Sequence, residues 1–263
     1  MNIRTPELTD LPALQDLWQE AFGDTLEFID TFFKTAFDCK RCFCVVDKHA
    51  VASALYWFDC EYQGQPVAYL YAIATAETYQ GQGLCHRLME HTHRYLQKSG
   101  YLGAVLVPGN ASLFQFYQSM GYQTCCYVEE FHCSTTDVLH QPAKTTHCSF
   151  HLHTITKTEY ATLRKQLLPK DSILQKNICL DFLQTQATLY AGEDFILAAH
   201  IEGQKLFAPE FLGNNTNTEQ ILSALHCTEG FFRMPGTEKP FAMYLPLSEN
   251  AHTLPAYFGL AFD

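Results

Sequence analysis

The sequence predicts an α/β chain, α+β in detail, built as two successive domains. Three observations carry that prediction. Strand-like and helix-like runs alternate along the 263 residues, as packed layers of sheet and helix require. A glycine-bracketed turn, Tyr79-Gln80-Gly81-Gln82-Gly83-Leu84-Cys85, joins a strand-like run to a helix-like one. A polar stretch from Ser134 to His147, containing Pro142, then breaks the pattern, after which the order of elements repeats.

Ile3 to Thr5 reads as a first strand. Thr9 or Asp10 is placed to cap a helix whose stripe is Leu11, Leu14, Leu17, Trp18, Ala21 and Phe22, with Pro12 in its first turn. Gly23 ends it. A second helix carries Phe28, Ile29, Phe32, Phe33 and Phe37, an aromatic stripe that reads as core. Strands follow over Arg41 to Asp47 and Val51 to Cys60, joined by a turn at Lys48-His49. The Gln63-Gly64-Gln65-Pro66 turn leads to an apolar strand from Val67 to Thr75. After the glycines, Leu84, Cys85, Leu88, Met89, Tyr95 and Leu96 recur at helical spacing up to Ser99-Gly100. Ala104 to Pro108 reads as a strand and Asn110 to Met120 as a helix, with Gly121 where a helix C-terminus favours glycine.

The second half repeats that order. Phe150 to Ile155 reads as a strand, Thr158–Leu168 and Ser172–Leu183 as helices divided by Pro169. Strands are expected at Thr188–Ala191, Phe195–Ile201 and Lys205–Phe211. A helix over Thr218–His226 leads to Phe231–Met234, and Phe241–Leu245 and Tyr257–Phe262 supply the last strands. The domains are therefore expected at 1–140 and 148–263.

Composition narrows the function. A net charge of −11 disfavours nucleic acid, whose binding relies on Lys and Arg neutralising phosphates. Arg4, Glu7 and Asp10 interrupt any leader-like apolar run, and nothing approaches the ~20 apolar residues of a membrane span. The eleven cysteines are scattered, and Cys39-x-x-Cys42 lacks a second pair at metal spacing. They read as buried reduced thiols. The twelve histidines read as surface or boundary residues, His91 and His93 lying on different helix faces. The expectation is a cytoplasmic protein with no metal, no nucleic-acid partner and no membrane anchor.

The turn at 79–85 is the chemical signature. Backbone N–H groups at a helix start lack chain partners and sit at the positive end of the helix dipole, which makes an anion site. Glycine at 81 and 83 keeps Cβ atoms out of a phosphate's way. A Walker loop fails, because Leu84 and Cys85 stand where Lys and Ser/Thr are needed. A dinucleotide fingerprint fails too, with His86 in place of the third glycine and no acidic residue near Gly103.

Gln80-x-x-Gly83-x-Cys85 resembles the pyrophosphate loop of the GNAT-type N-acetyltransferases, Gln/Arg-x-x-Gly-x-Gly/Ala, with cysteine at the last small position. Tyr69 to Thr75 resembles that family's fourth strand, Ala104 to Pro108 its fifth, and Phe116-Tyr117-Gln118-Ser119-Met120-Gly121-Tyr122 its Phe-Tyr-x-x-x-Gly-Phe signature. The two-domain layout, whose second loop (Leu212 to Asn217) lacks the motif, is similar to the enhanced-intracellular-survival type of acetyltransferase. The resemblance implies a GNAT fold, a mixed and mostly antiparallel sheet flanked by helices, followed by a degenerate GNAT-like domain that does not bind the cofactor and offers a surface for homo-oligomers.

It also implies acetyl-CoA as co-substrate and a primary amine, on a small molecule or peptide, as acceptor. Gln80, Gly81, Gln82, Gly83, Leu84 and Cys85 would hold the pyrophosphate. Ile73, Ala74 and Thr75 would offer backbone groups to the pantetheine and acetyl carbonyl, and Asn110 would touch the pantetheine or nearby backbone. Tyr117 would be the acid that reprotonates the leaving thiolate. Glu61, the terminal carboxylate of Asp263 and water stand as alternative bases. A coenzyme A-binding sensor without transferase activity is the competing reading.

Overall fold

The computed structural model describes residues 1–48, 50–135, 150–249 and 253–262. In chain order the elements are β1 (Asn2–Arg4), α1 (Leu11–Phe22), α2 (Leu26–Thr35), β2 (Cys42–Asp47), β3 (Ala50–Tyr62), β4 (Gln65–Thr75), α3 (Leu84–Lys98), β5 (Gly103–Leu106), α4 (Ala111–Ser119) and β6 (Gln123–Ser134). There follow β7 (His153–Thr154), α5 (Lys157–Leu167), β8 (Leu174–Gln175), α6 (Ile178–Gln186), β9 (Thr188–Ala191), β10 (Phe195–Glu202), β11 (Lys205–Gly213), α7 (Thr218–Ala224), β12 (Glu229–Pro235) and β13 (Lys239–Pro246). Among the described residues no helix is long and apolar enough to cross a membrane.

Packing divides the chain into two units. The first comprises Met1–Thr124, Ile173–Phe182 and Ala242–Pro255; the second comprises Cys125–Ser172, Leu183–Phe241 and Ala256–Asp263. The stretch expected as the domain boundary, Ser134 to His147, lies almost wholly outside the described residues.

In the first unit the strands run β1-β2-β3-β4-β5-β13, with β8 paired to β3. All neighbours are antiparallel except β4 and β5, which are joined through α3. α3 lays Leu84, Leu88, Met89 and Leu96 on this sheet, against Leu55, Leu70 and Leu106. The helix ends obey local chemistry. Gly23, at φ 71°, closes α1 by donating its N–H to Gln19 O at 2.9 Å, a conformation that costs glycine little. Thr25 caps α2, its Oγ1 accepting from Phe28 N–H at 3.2 Å. Asp10 precedes α1 but caps the 3-10 turn before it instead. Its carboxylate accepts from Glu7 N–H at 2.6 Å and pairs with Arg4 at 2.6 Å.

The second unit runs β6-β12-β11-β10-β9-β7, antiparallel except for β11 and β12, which are joined through α7. Each unit thus has one strand–helix–strand crossover making its parallel pair, the repetition the sequence suggests. α7 packs Ile221 and Leu222 against Leu197, Leu206 and Phe232. Thr156 and Glu159 cap α5 reciprocally, with Thr156 N–H to Glu159 Oε2 at 2.8 Å and Glu159 N–H to Thr156 Oγ1 at 3.3 Å.

Three expectations need correction. The strand expected at Phe150 to Ile155 shrinks to His153–Thr154. The helix expected from Ser172 starts only at Ile178, because Leu174–Gln175 is drawn into a ladder with Cys60 and Glu61. Tyr257 to Phe262 is not a strand: beyond a single bridge between Ser172 and Tyr257, the five consecutive residues Tyr257, Phe258, Gly259, Leu260 and Ala261 are all buried. A half-buried strand would alternate.

Candidate active site

β4 changes character midway. It pairs with β5 only through Val67, Ala68 and Tyr69; beyond Tyr69 the two strands are no longer laddered together. Its antiparallel register with β3 then slips by one residue, Tyr56 facing Tyr71 but Ala54 facing Ala74. The extra residue is a β-bulge, and Ala72 within it takes φ 46°, a left-handed conformation that strains a residue with a Cβ and recurs at functional sites. Burial loosens at the same point, from Val67–Leu70 buried to Tyr71–Ile73 half-buried.

Past the bulge the ladder with β3 resumes. Ala76 N–H donates to Ala52 O at 3.0 Å, and pairs Ser53–Thr75 and Ala54–Ala74 follow. Hydrogen-bonded and non-bonded pairs alternate in such a ladder, so Ala74 N–H is turned to β3 and Thr75 N–H to the opposite edge. Ser53, fully buried, donates its hydroxyl to Ala74 O at 2.6 Å and lies 2.9 Å from Thr75 Oγ1. It is the one polar residue in the apolar run Val51 to Leu55, a signal that sequence reasoning missed.

The turn after β4 is open. A 3-10 turn over Glu77–Tyr79 leads to extended Gln80, then Gly81 and Gly83 at φ 72° and 70°. Gln80 to Gly83 are exposed, and a Cβ on either glycine would meet nothing within 4 Å. No side chain caps α3 at Gly83. The first N–H to find an acceptor within the helix is Arg87's, at Gly83 O and 3.1 Å. The amides of Leu84, Cys85 and His86 come before it, pointing out of the helix start. Gln80 and Gln82 brace the loop through Nε2 donation to Thr75 O at 3.2 Å and Thr78 O at 3.5 Å.

Tyr117 sits beside this helix start. α4 is capped by Asn110, whose Oδ1 accepts from Ser112 N–H at 3.1 Å and Leu113 N–H at 3.2 Å; Asn110 itself is exposed. One face of α4 buries Tyr117, 7% exposed, against Tyr122 with ring centroids 5.8 Å apart. Burial raises the Tyr117 hydroxyl above the usual phenol range, and the Cys85 sulfur nearby adds to it. Burial also pushes the Cys85 thiol up to about 11. Both groups therefore stay protonated at neutral pH.

Behind them Tyr122, 1% exposed, places its hydroxyl 2.8 Å from His93 Nε2. The imidazole accepts there when its own proton is on Nδ1. Burial, helped by His86, lowers His93 from 6.5 to about 4. Between those values the unfolded chain takes up a proton that the folded chain refuses, so stability falls as pH drops through that window. The expected loss from pH 7 to pH 4.5 is on the order of 1–3 kcal/mol, read from urea midpoints, and His93→Asn should flatten that slope. An unchanged slope would remove His93 as its cause.

Gln80 to Cys85, the end of β4 and Tyr117 are thus gathered in one unit. Glu61 is not with them. It faces Pro66 at the far end of the β3–β4 hairpin while Ser53 faces Thr75, about 30 Å away at the usual strand rise, and its carboxylate is paired with Lys176 Nζ at 2.5 Å. Asp263 lies outside the described residues. Among the described residues no cluster of three or more His, Cys, Asp or Glu is arranged to hold a metal.

Residues 2–125 match the family model of the acetyltransferase (GNAT) domain. No curated protein matches the sequence. A GCN5-related N-acetyltransferase from Anabaena variabilis is similar over 94% of this chain and 73% of its own, at 14% identity and a TM-score of 0.74. A probable N-acyltransferase from Enterococcus faecalis covers 95% and 73% at 13% identity and 0.70. Eis1 from Mycobacterium abscessus covers 94% and 74% at 9% identity and 0.67. Such identities speak for a common fold, and over residues 2–125 the sequence itself matches the GNAT acetyltransferase domain.

Proposed function

We propose that the chain is an acetyl-CoA-dependent N-acetyltransferase acting on a primary amine of a small molecule or peptide, by direct attack in a ternary complex. The observation that carries this reading is the exposed, uncapped start of α3, opening directly from a strand that has left its parallel neighbour. Backbone N–H groups of Gly81 to Cys85 would take the pyrophosphate, with Gln80 and Gln82 bracing the loop. Thr75 N–H, with Ile73 in the bulge, would serve the pantetheine and the acetyl oxygen, while Ala74 holds the edge to β3. Asn110 would act through the α4 cap. The transferase domain, expected at 1–140, would be the unit that holds this site and also takes in Ile173–Phe182 and Ala242–Pro255, and the rest of 148–263 would make a second domain without cofactor.

The chemistry sets what the residues must do. A lysine-like ammonium near pKa 10.4 must lose its proton to attack, at a cost of roughly 4.6 kcal/mol at pH 7. With Glu61 spent on Lys176, water leading out of the cleft is the favoured route for that proton. The thiolate that leaves is met by the Tyr117 hydroxyl, which remains a donor at every physiological pH.

Isothermal titration with acetyl-CoA, followed by thiol release over a panel of amines, tests the proposal. Gly83→Val is expected to weaken acetyl-CoA about tenfold or more, since a β-branched residue resists φ 70° and its methyls crowd the amides. An unaltered affinity in a folded Gly83→Val protein would refute the loop's role. Tight binding without amine-dependent thiol release would favour a coenzyme A sensor, a reading supported by the absence of Glu61 from the site.

A further inference from the structure

One face of the second unit's sheet carries a row of four rings. His132 on β6, Phe231 on β12, Phe207 on β11 and His200 on β10 are successive cross-strand partners. Centroids lie 4.8 Å apart for His132–Phe231, 5.1 Å for Phe207–Phe231 and 5.2 Å for His200–Phe207, with the last two pairs within 9° and 14° of parallel. Rings stacked in this way stand on edge across the strands and present an apolar ridge. It faces water: Phe231 is 38% exposed, and the side chains of His132 and His200 are 47% and 43% exposed. The opposite face of these strands is core under α7. Further along the ridge's own face, Ala198 and Glu210 are buried, the latter bonded to Tyr160 and Arg164 of α5. The ridge is the half of the face that α5 does not reach, where polar residues would ordinarily stand.

We propose that this ridge is a self-association face, on which a second copy of the chain packs about a two-fold axis parallel to the strands and running between β11 and β12. The row reads His–Phe–Phe–His from either end, the self-complementarity that an isologous contact demands. A half-turn about that axis sets Phe207 over the partner's Phe231 and His200 over the partner's His132. The charged row beside the ridge agrees. Lys205 and Glu229 are register partners on β11 and β12, 3.2 Å apart, and the same half-turn lays each Lys205 over the partner's Glu229. A chain of net charge −11 resists its own copies, and Glu202, the β10 partner of Lys205, leaves this row with one negative charge in excess, which the two crossed Lys205–Glu229 pairs offset only in part. Four rings and one ion-pair row are small beside the roughly 800 Å² per partner of a standard interface, so the dimer is weak and concentration-dependent. The proposal stands apart from the transferase reading.

Sedimentation equilibrium on the full chain tests it, with far-UV circular dichroism and thermal melting to show that each variant folds. The chain is expected to pass from monomer to dimer as concentration rises. Phe231→Lys, which sets two ammonium groups at the centre, should weaken the dimer about tenfold or more. Lys205→Glu or Glu229→Lys alone should also weaken it, and the two together should restore most of the loss. A monomer at every concentration overturns the proposal, as does a dimer indifferent to Phe231→Lys. Failure of the double charge exchange to restore association overturns the two-fold register.

Discussion

Replacing Arg164 by methionine is expected to cost the second unit about 3–5 kcal/mol, the usual result of stranding one partner of a buried ion pair. The two side chains are 2% and 0% exposed. Glu210 accepts four hydrogen bonds: Arg164 Nε at 2.6 Å and Tyr160 OH at 2.7 Å on Oε2, Arg164 Nη2 at 2.9 Å and Tyr257 OH at 3.3 Å on Oε1. Without the guanidinium, the carboxylate keeps two phenols but no countercharge, and must take up a proton or open the unit. Glu210→Leu alone fails for the mirror reason. The double replacement, Arg164→Met with Glu210→Leu, should recover much of the loss, because a packed apolar pair carries no desolvation penalty. Urea unfolding followed by circular dichroism reads all three. Single replacements costing under 1 kcal/mol, or a double worse than either single, would show that the pair is not the keystone of this unit.

Tyr117→Phe is expected to lower kcat about 10²-fold while leaving KM for acetyl-CoA within about twofold, the pattern for loss of a proton donor that acts on the leaving group. The phenyl ring keeps the packing against Tyr122 and Phe116, so thermal stability should hardly move. The raised hydroxyl makes a further expectation. Being protonated well beyond neutrality, Tyr117 should impose no alkaline limb on the rate below pH 10. Steady-state thiol release with a saturating amine gives both results. An unchanged kcat would reduce Tyr117 to a core residue.

Much of this is legible in the sequence alone, because the informative features are local. The α3 loop announces itself through glycines between an apolar strand and an amphipathic helix. Tyr117 lies in a motif that fixes its helix face, and alternating runs give strands such as β9 to within a residue. What escaped depends on partners distant in sequence. The bulge at Ala72 is a mismatch between β3 and β4, and alanine gives no warning of a positive φ. β8 is a strand only because Cys60 and Glu61 accept it. Tyr257 to Phe262 looks like a strand since it is apolar throughout, yet that composition equally suits a tail buried on all sides. Asp10 was legible as a cap, but Arg4 draws its carboxylate to the preceding turn.

β13 has a consequence for how the protein is made. Its residues Met243 to Pro246 are the antiparallel neighbours of Gly103 to Leu106 in the first unit, although well over a hundred positions separate them along the chain. While the polypeptide emerges from a ribosome, β5 waits with one margin bare until the long stretch between it and β13 has been translated. A bare margin of that kind invites mispairing, so the sheet of the first unit is finished only once β13 has emerged and paired.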